Sequence, residues 1–306
     1  MPPKRLVVID GYSLLFRAFY GTRFLSTSDG RPTNALFGFV NTLLHLFGEL
    51  RPDAVVVALD APGKTFRHAE FAEYKGTRRE TPPELVSQLQ ASREMIAALN
   101  IPVLEIVGYE ADDVVGTISL QAERNGYDTV IVTGDRDNLQ LVDHAVTVMM
   151  PGIRGSEATM YGPDGVREKY GFEPLQLIDY KALAGDASDN IPGVPGIGDK
   201  TATYLVQKFG SVEAIIDKLE DIEEKYRKKI EPNIPQMKTC KMLATIDRQV
   251  PIDWDFEPFK IDLEHVHQVR AMVESFEFKT QAKRLESALQ PYMSDGARDF
   301  VEMGPE

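Results

Sequence analysis

The sequence predicts an α/β fold in which helices flank a mostly parallel central sheet. Three short apolar runs, at residues 6–10, 54–60 and 129–135, each end in an aspartate. The runs are rich in β-branched residues and do not alternate strictly, as expected of strands that are buried on both faces of a parallel sheet. Helical patterns separate the runs, and this alternation of strands with helices is typical of α/β proteins.

Further elements follow from the same patterns in chain order. A fourth apolar run, Pro102–Val107, predicts another strand. The first half has predicted helices at Asn34–Leu50, Pro83–Leu99 and Ala111–Asn125. After about Val148 the sequence becomes mostly helical, with predicted helices at Pro163–Tyr170, Pro174–Ala184, Lys200–Phe209 and Val212–Leu219.

Composition and charge limit the classes of function. No apolar run approaches the roughly 20 residues that a membrane helix needs, so we expect no membrane partner. The single cysteine, Cys240, excludes an internal disulfide and fits a reducing cytoplasm. The net charge of −13 argues against a nucleic-acid partner unless metal ions neutralise part of it. Positive charge is clustered, however, because residues 64–79 contain five basic residues and two acidic ones.

Acidic residues at the strand ends are the strongest functional signal. Ligands of open α/β sheets gather at the carboxyl ends of the strands, so Asp10, Asp60 and Asp135 should converge there. Two carboxylates about 4 Å apart repel by roughly 4 kcal/mol at an effective dielectric constant near 20, which cations would offset. A ligand set of carboxylates without Cys or His favours Mg²⁺ or Mn²⁺. The number of carboxylates favours two ions over one. The full candidate set is Asp10, Asp60, Glu110, Asp112, Asp113, Asp135, Asp137, Asp186 and Asp189.

Some of these acids have simpler explanations when taken singly. An aspartate that follows a strand is often the N-cap of the next helix, which applies to Asp10. Asp113 could equally be a partner of the helix dipole in a first turn. The combination is more specific than its members, because separate segments bring acids to one predicted edge of the sheet.

A Gly-rich turn with its own physical logic follows Asp186 and Asp189. Glycines let the backbone approach a ligand closely, and the start of the next helix offers free N–H groups to a phosphate. Because Gly196-Ile-Gly-Asp-Lys200 lies between predicted helices, it indicates a helix–hairpin–helix. Such an element binds the duplex backbone without reading base sequence.

Together these motifs resemble the 5′-nuclease (flap endonuclease) superfamily, and most closely the 5′-3′ exonuclease domain at the front of bacterial DNA polymerase I. The resemblance extends over about residues 6–289. The segments that carry it are 8–13, 32–39, 66–67, 74–78, 108–113, 133–137 and 185–200.

The resemblance implies a role for each matching residue. Asp10, Asp60, Glu110 and Asp112 match a first metal site, Asp135, Asp137 and Asp189 match a second, and Asp113 and Asp186 are further members. Positions near the scissile phosphate are matched by the basic residues Arg17, Arg67, Lys75 and Arg78. Tyr74 offers a stacking face to a base. The resemblance also implies DNA contacts at Gly193, Gly196, Gly198 and Lys200, and a potassium ion on the turn carbonyls.

The implied architecture is a PIN-like α/β core at residues 1–180, with a helical arch at about 62–83. A helix–hairpin–helix subdomain and C-terminal helices follow at 181–290, and residues 291–306 form a tail or linker. Without the resemblance, residues 62–83 would be interpreted as a solvated loop with a helical turn.

The implied activity is structure-specific 5′-3′ exonuclease and flap endonuclease cleavage of DNA by two-metal-ion catalysis. Its substrate would be DNA with a 5′ single-stranded flap or end beside duplex, or an RNA primer on DNA. The implied setting is replication and repair, including Okazaki primer removal, in a bacterial cytoplasm near the nucleoid. We expect a monomer, with a polymerase domain on the same natural chain.

Two other functions remain open at this stage. A PIN-like ribonuclease shares the acidic core but generally lacks the arch and the helix–hairpin–helix. A non-enzymatic module that binds DNA structures would retain binding without cleavage.

Overall fold

A six-stranded sheet forms the centre of the molecule, which a computed structural model describes over residues 3–153 and 156–293. The strand order is β3-β2-β1-β4-β5-β6, and neighbouring strands are parallel except for the antiparallel pair β5 and β6. The strands are β1 (Lys4–Asp10), β2 (Ala54–Ala58), β3 (Val103–Leu104), β4 (Tyr127–Val132), β5 (Val146–Met150) and β6 (Thr159–Tyr161).

Strand β1 lies between β2 and β4, so the strand order reverses beside it. Its side chains alternate between two cores: Leu6 and Val8 face one layer of helices, and Val7 and Ile9 face the other. This double burial explains why the strand is an unbroken apolar run. The crevice at a reversal of strand order is where open α/β sheets bind ligands.

Helices cover both faces of the sheet. Those on the face of Val7 are α1 (Gly11–Gly21), α2 (Asn34–His45), α4 (Pro83–Ala98), α12 (Leu263–Ser275) and α13 (Lys279–Leu289). Those on the other face include α5 (Ala111–Arg124), α6 (Pro163–Tyr170), α7 (Leu177–Ala184), α8 (Asp199–Phe209), α9 (Val212–Asp217) and α11 (Ile234–Ala244). The remaining short helices are α3 (Phe66–Glu70) and α10 (Glu224–Ile230).

The predicted fold class is confirmed, with local differences. Helix α1 and strands β5 and β6 were not predicted. The predicted strand at 102–107 contains only Val103–Leu104, because it is the edge of the sheet and pairs with β2 alone. The predicted helix at 34–50 ends as an α-helix at His45 and continues to Leu50 as one π-helical turn.

The segment predicted as an arch, residues 62–83, contains a single five-residue helix, α3. It lies against the loop after α7, since the Lys75 amide donates to the Asp189 carbonyl at 3.0 Å. The Asn190 side chain in turn donates to the Glu73 carbonyl at 2.7 Å. The loop therefore holds the middle of this segment next to the sheet edge.

Two further predictions concern the C-terminal part and membranes. Residues 294–306 of the predicted tail lie outside the described residues. Within the described part of the chain, no helix has the length and apolar character needed to cross a bilayer.

Candidate active site

A cavity of about 1060 Å³ opens at the carboxyl ends of β1, β2 and β4. Most of the predicted metal-binding carboxylates line it, from segments far apart in the sequence. The carboxylates in its wall are Asp10, Asp60, Glu110, Asp112, Asp135, Asp137 and Asp186.

The sheet and the start of α5 position the first of these acids. Asp10 is the last residue of β1 and lies opposite Ala58 of β2. The hydroxyl of Thr133, just beyond β4, donates to Asp10 Oδ2 at 2.6 Å. Asp60 Oδ1 accepts from the Ala111 amide at 2.9 Å, which ties the end of β2 to α5. These acids thus converge because parallel strands end at one edge.

Crowding and burial disturb the titration of the cluster. Burial raises the pKa of Asp10 to about 7, and the charges of Asp60 and Asp135 act in the same direction. Burial, Asp135 and Asp10 raise the pKa of Asp112 well above its usual value. Burial and Asp135 raise the pKa of Asp137 to about 7, although Lys181 opposes the shift. Burial and mutual repulsion therefore both oppose ionisation of these carboxylates, and cations would offset the repulsion.

Lys181 in α7 bridges two of the carboxylates. Its ammonium group donates to Asp186 Oδ2 at 2.5 Å and to Asp137 Oδ1. Burial acts to lower the pKa of Lys181, but Asp137 and Asp186 raise it on balance, so the lysine stays charged. Lys181 was not among the predicted site residues, because the sequence of a mostly apolar helix does not reveal which groups a lysine within it contacts.

Other donors at the site were also missed. Asn138 Nδ2 donates to Asp112 Oδ1 at 2.7 Å. Thr133 lies two residues before Asp135 in the Thr-Gly-Asp motif, and this motif could have indicated that Thr133 belongs to the site. Thr133 and Asn138 thus fix the orientation of the Asp10 and Asp112 carboxylates.

The donor set fits hard divalent cations. It consists of carboxylate oxygens without Cys or His, as Mg²⁺ and Mn²⁺ prefer, and these carboxylates raise one another's pKa values in addition to the effect of burial. Among residues 3–153 and 156–293, no three acidic, His or Cys side chains are arranged around one point as ready ligands.

Glu110 and Asp189 share donors from the segment 62–83. Lys75 Nζ lies 2.8 Å from Glu110 Oε1 and 3.9 Å from Asp189 Oδ2. Burial opposes these charges, yet the pKa of Lys75 is raised by Glu110 and Asp189. Arg78 donates to Asp189 Oδ1 at 2.7 Å. Asp189 itself lies behind the cavity wall, and its metal contact stays a prediction.

Tyr74 differs from its predicted role as a stacking face. It is 3% exposed, and its hydroxyl donates to Glu110 Oε2 and Asp189 Oδ2, both at 3.1 Å. Burial and these two acids raise its pKa, which keeps the phenol protonated as a donor. Because its ring is buried, we reassign Tyr74 from base stacking to holding the two carboxylates.

Arg67 and Asp113 also differ from their predicted roles near the phosphate and the metal. Arg67 is 2% exposed and Asp113 is fully buried. They form a bidentate pair with distances of 2.8 and 2.7 Å, and neither lines the cavity. Burial acts to lower the pKa of Arg67, but Asp113 and Glu110 raise it. We therefore reassign both residues to a buried ion pair.

The remaining predicted basic residues do line the cavity. Arg17, Lys75 and Arg78 are in its wall, together with Arg136, which the sequence analysis did not single out. Arg17 Nε donates to the Pro151 carbonyl at 3.0 Å, which leaves its terminal nitrogens directed elsewhere. Guanidinium forks suit phosphate oxygens, but the contact of these residues with a phosphate stays a prediction.

The glycine-rich turn lies beside the cavity without lining it. Gly193 has φ +64°, and a Cβ there would approach the Gly185 nitrogen to 2.3 Å, so the position requires glycine. The Gly193 carbonyl accepts from Gln236 at 2.5 Å, and the Gly196 carbonyl accepts from Lys229 at 2.9 Å. Gly196, Gly198 and Lys200 are exposed at the turn and the start of α8, and their DNA contacts stay predictions.

Family models match nearly the whole chain. Residues 5–171 match a model described as 5′-3′ exonuclease, N-terminal resolvase-like domain. Residues 172–289 match one described as 5′-3′ exonuclease, C-terminal SAM fold.

Curated relatives are longer than this chain. It is 40% identical over 285 residues to DNA polymerase I of Bacillus caldotenax, which covers 93% of the chain and 32% of the relative. It is also 40% identical over 278 residues to a thermostable DNA polymerase I of Thermus filiformis, covering 90% of the chain and 32% of the relative. The chain thus spans about a third of the length of these relatives.

Solved structures share the fold at low sequence identity. The bacteriophage T5 5′-exonuclease with bound zinc has a TM-score of 0.68 at 21% identity, covering 94% of this chain and 99% of the other. A T5 flap endonuclease in complex with DNA and metal ions has a TM-score of 0.66 at 22% identity, covering 94% and 99%. The catalytic core of Rad2 with a DNA substrate has a TM-score of 0.59 at 14% identity, covering 96% and 93%.

Proposed function

We propose, since this chain belongs to the 5′-3′ exonuclease family, that it is a divalent-metal-dependent 5′-nuclease that hydrolyses DNA phosphodiesters beside a 5′ single strand. The observation that carries the proposal is the cavity whose wall combines seven carboxylates with Arg17, Lys75 and Arg78. Acids for cations and basic groups for phosphates therefore occupy one site.

The acidic residues of the site would bind metal ions, and the basic residues would contact the phosphate. Two Mg²⁺ or Mn²⁺ ions, when bound, would activate a water and stabilise the departing 3′-oxygen. Asp10, Asp60, Glu110 and Asp112 would hold one ion, and Asp135 and Asp137, with Asp186 and Asp189, the other. Arg17, Lys75 and Arg78 would offset the charge that develops on the phosphate.

The glycine-rich turn would set where the DNA is cut. It connects to the cavity through the backbone, because the Val194 amide donates to Leu183 and residues 186 and 191 exchange two hydrogen bonds. A duplex gripped at Gly196, Gly198 and Lys200 would thus be held at a fixed distance from Asp186. Selection would follow DNA shape and not base sequence.

Potassium at this turn would meet competing donors. Lys229 and Gln236 already donate to the Gly196 and Gly193 carbonyls. We propose potassium binding there only together with movement of these donors, and then DNA affinity should be higher in KCl than in LiCl at equal ionic strength. Equal affinity in the two salts would remove potassium from the proposal.

The biological setting is proposed from the relatives, whose names describe DNA polymerase I. A polymerase on the same natural chain, 5′-phosphate and 3′-hydroxyl products, and primer removal in replication and repair form one consistent proposal. RNA primers on DNA, action as a monomer and a place in the bacterial cytoplasm near the nucleoid belong to it as well.

Cleavage of a 5′-flap DNA labelled at its 3′ end tests the activity. We expect cutting near the flap junction with Mg²⁺ or Mn²⁺, and none with EDTA or with Asp135→Asn. Linear duplex without a 5′ single strand is the control for structure selection. If the protein shifts the flap DNA in a gel but cuts it with neither metal, it is a binding module and the catalytic proposal is wrong.

A further inference from the structure

We infer that Arg67 and Asp113 are a positioning pair that sets the geometry of Glu110 from outside the cavity. The inference rests on the proposed function, because Glu110 is a ligand of the proposed metal site. It replaces the predicted contact between Arg67 and the phosphate with a role exerted through another residue.

Arg67 joins the segment 62–83 to the end of α11. Its Nε donates to the Leu243 carbonyl at 3.0 Å, and its Nη2 donates to the Thr245 carbonyl at 2.7 Å. Nη1 donates to Asp113 Oδ2, and Nη2 donates to Asp113 Oδ1 in addition to the Thr245 carbonyl. The directed donors of this arginine are thus distributed over protein groups, and at 2% exposure it has no surface for a phosphate.

Asp113 joins the same end of α11 to the start of α5. Its Oδ2 accepts from the Glu110 amide at 3.0 Å, and its Oδ1 accepts from the Asp247 amide at 2.8 Å. Both oxygens are therefore shared between Arg67 and backbone N–H groups.

Glu110 is where the two connections meet. Asp113 fixes its backbone, and Arg67 Nη1 lies 3.6 Å from its carboxylate. The other sides of that carboxylate are occupied by Lys75 and Tyr74, which follow Arg67 in the same segment. A change in Arg67 would therefore alter both the backbone and the charge environment of Glu110.

The network makes a distinction between three roles that experiments can separate. If Arg67 contacts a phosphate, Arg67→Lys should weaken flap binding in EDTA, because lysine cannot form the two parallel hydrogen bonds of the guanidinium group. If the pair is purely structural, its substitution should lower the melting temperature but leave the metal affinity of the folded protein unchanged. If the pair positions Glu110, its substitution should weaken metal binding in the absence of DNA.

The test uses Arg67→Lys, Asp113→Asn and the double variant in the full chain. Arg67→Lys keeps the charge but loses the fork, and Asp113→Asn keeps an acceptor oxygen. Arg270→Lys is the matched control, because Arg270 also bridges two acids, Glu274 and Glu286, but on α12 and α13. Mn²⁺ affinity of the DNA-free proteins is measured by calorimetry below each melting temperature, and flap affinity is measured in EDTA at several salt concentrations.

We expect each single variant to lose about tenfold in Mn²⁺ affinity, as is typical when the support of a metal ligand is removed. The Mn²⁺ affinity of the double variant should be no lower than that of the single variant with the lower affinity, because the two residues act as one unit. Flap affinity in EDTA and its salt slope should match the wild type, as should every property of Arg270→Lys.

Other outcomes overturn the inference in distinct ways. Unchanged Mn²⁺ affinity in folded variants would show that the pair is only structural, and weaker flap binding by Arg67→Lys in EDTA would restore the phosphate contact. If Arg67→Lys does not fold, Asp113→Asn decides the matter by the same measurements. If the wild type binds no Mn²⁺, the proposed function itself fails, whereas binding by wild type and variants alike refutes the positioning role alone.

Discussion

Carboxylates in the cavity are held in an arrangement that their own charges oppose. Asp10 is 3% exposed and has Asp60 and Asp135 as charged neighbours. The Thr133 hydroxyl stabilises the ionised form, but burial outweighs it and the pKa rises to about 7. Burial and the neighbouring acids therefore both oppose ionisation of Asp10, and a cation among these carboxylates would favour the ionised form.

Asp10→Asn should therefore stabilise the metal-free protein while abolishing cleavage. A carboxyl whose pKa rises from 3.8 to about 7 on folding takes up a proton, so its contribution to the free energy of unfolding falls as pH rises through that window. We expect the difference in free energy of unfolding between Asp10→Asn and the wild type to grow from pH 4 to pH 7 and then to level off. One pKa unit corresponds to about 1.4 kcal/mol, and because the acids titrate together we expect a final difference on the order of 2 kcal/mol.

Urea unfolding in EDTA at several pH values checks this prediction. Adding Mg²⁺ above pH 7 should narrow the gap, because the ion binds the folded wild type more tightly. A gap that does not change with pH would show that the pKa of Asp10 is not raised on folding.

Tyr74→Phe should lower the cleavage rate about tenfold, since a hydrogen bond to a charged group is worth roughly 1.5–3 kcal/mol. Without the hydroxyl, Glu110 and Asp189 lose their shared donor. Flap affinity should not change, because the buried ring does not reach DNA. Single-turnover cleavage and gel-shift titration measure the two effects. Normal cleavage by Tyr74→Phe, with weak flap binding by Tyr74→Ala, would restore the stacking role.

At the scale of elements, turns and strand ends decide where the chemistry lies. The turn before α8 is tied to the loop that bears Asp186, because Gly193 packs on Gly185 with no room for a side chain. The strong local signals, such as β1, which ends in Asp10, and β2, which ends two residues before Asp60, were predicted correctly. Weak local signals gave poorer predictions. The three-residue strand β6 was missed, and the strand predicted at 102–107 has only two residues at the sheet edge.

Gly193→Ala should destabilise the fold by at least about 2 kcal/mol, from a left-handed backbone and from overlap with the Gly185 backbone. Gly198→Ala is the matched control in the same turn, since a Cβ there meets no atom within 4 Å. Thermal unfolding of both variants provides the comparison. Equal melting temperatures would mean that the turn relaxes without strain.

At the scale of the whole molecule, the C-terminal helices complete the core on the sheet face of Val7 and Ile9. Helix α12 packs on α4 and α13 packs on α2, so Val266, Val269 and Leu285 share a cluster with Val7 and Ile9 of β1. The predicted regions 1–180 and 181–290 are therefore joined by a common interior. The chain that follows α11 returns across the sheet to reach this face.

A chain shortened to residue 262 should consequently lose cooperative folding. Removal of α12 and α13 would expose the apolar surfaces of α2 and α4, and a core opened to water loses roughly 25 cal/mol per Å² of apolar area. We expect dye binding and a broad thermal transition, with the chain ending at residue 293 as the control. A sharp transition within a few degrees of that control would show that the C-terminal helices are dispensable.

The sequence by itself determined the α/β class, the positions of β1, β2 and β4 along the chain and the acids that follow them. These features are local: β-branched runs specify buried strands, and parallel strands end at one edge, so Asp10, Asp60 and Asp135 had to meet. The family resemblance arose from the same short motifs and is confirmed.

Only the tertiary structure decided which charged groups pair with which. Arg67 and Asp113 are 46 residues apart, and Lys181 is 44 residues from Asp137, so no local pattern relates them. Sequence reasoning places a basic residue near acids but does not reveal whether its donors face a cavity or the interior. Burial makes that choice, because an ionised group inside the protein must be matched by specific partners from distant segments.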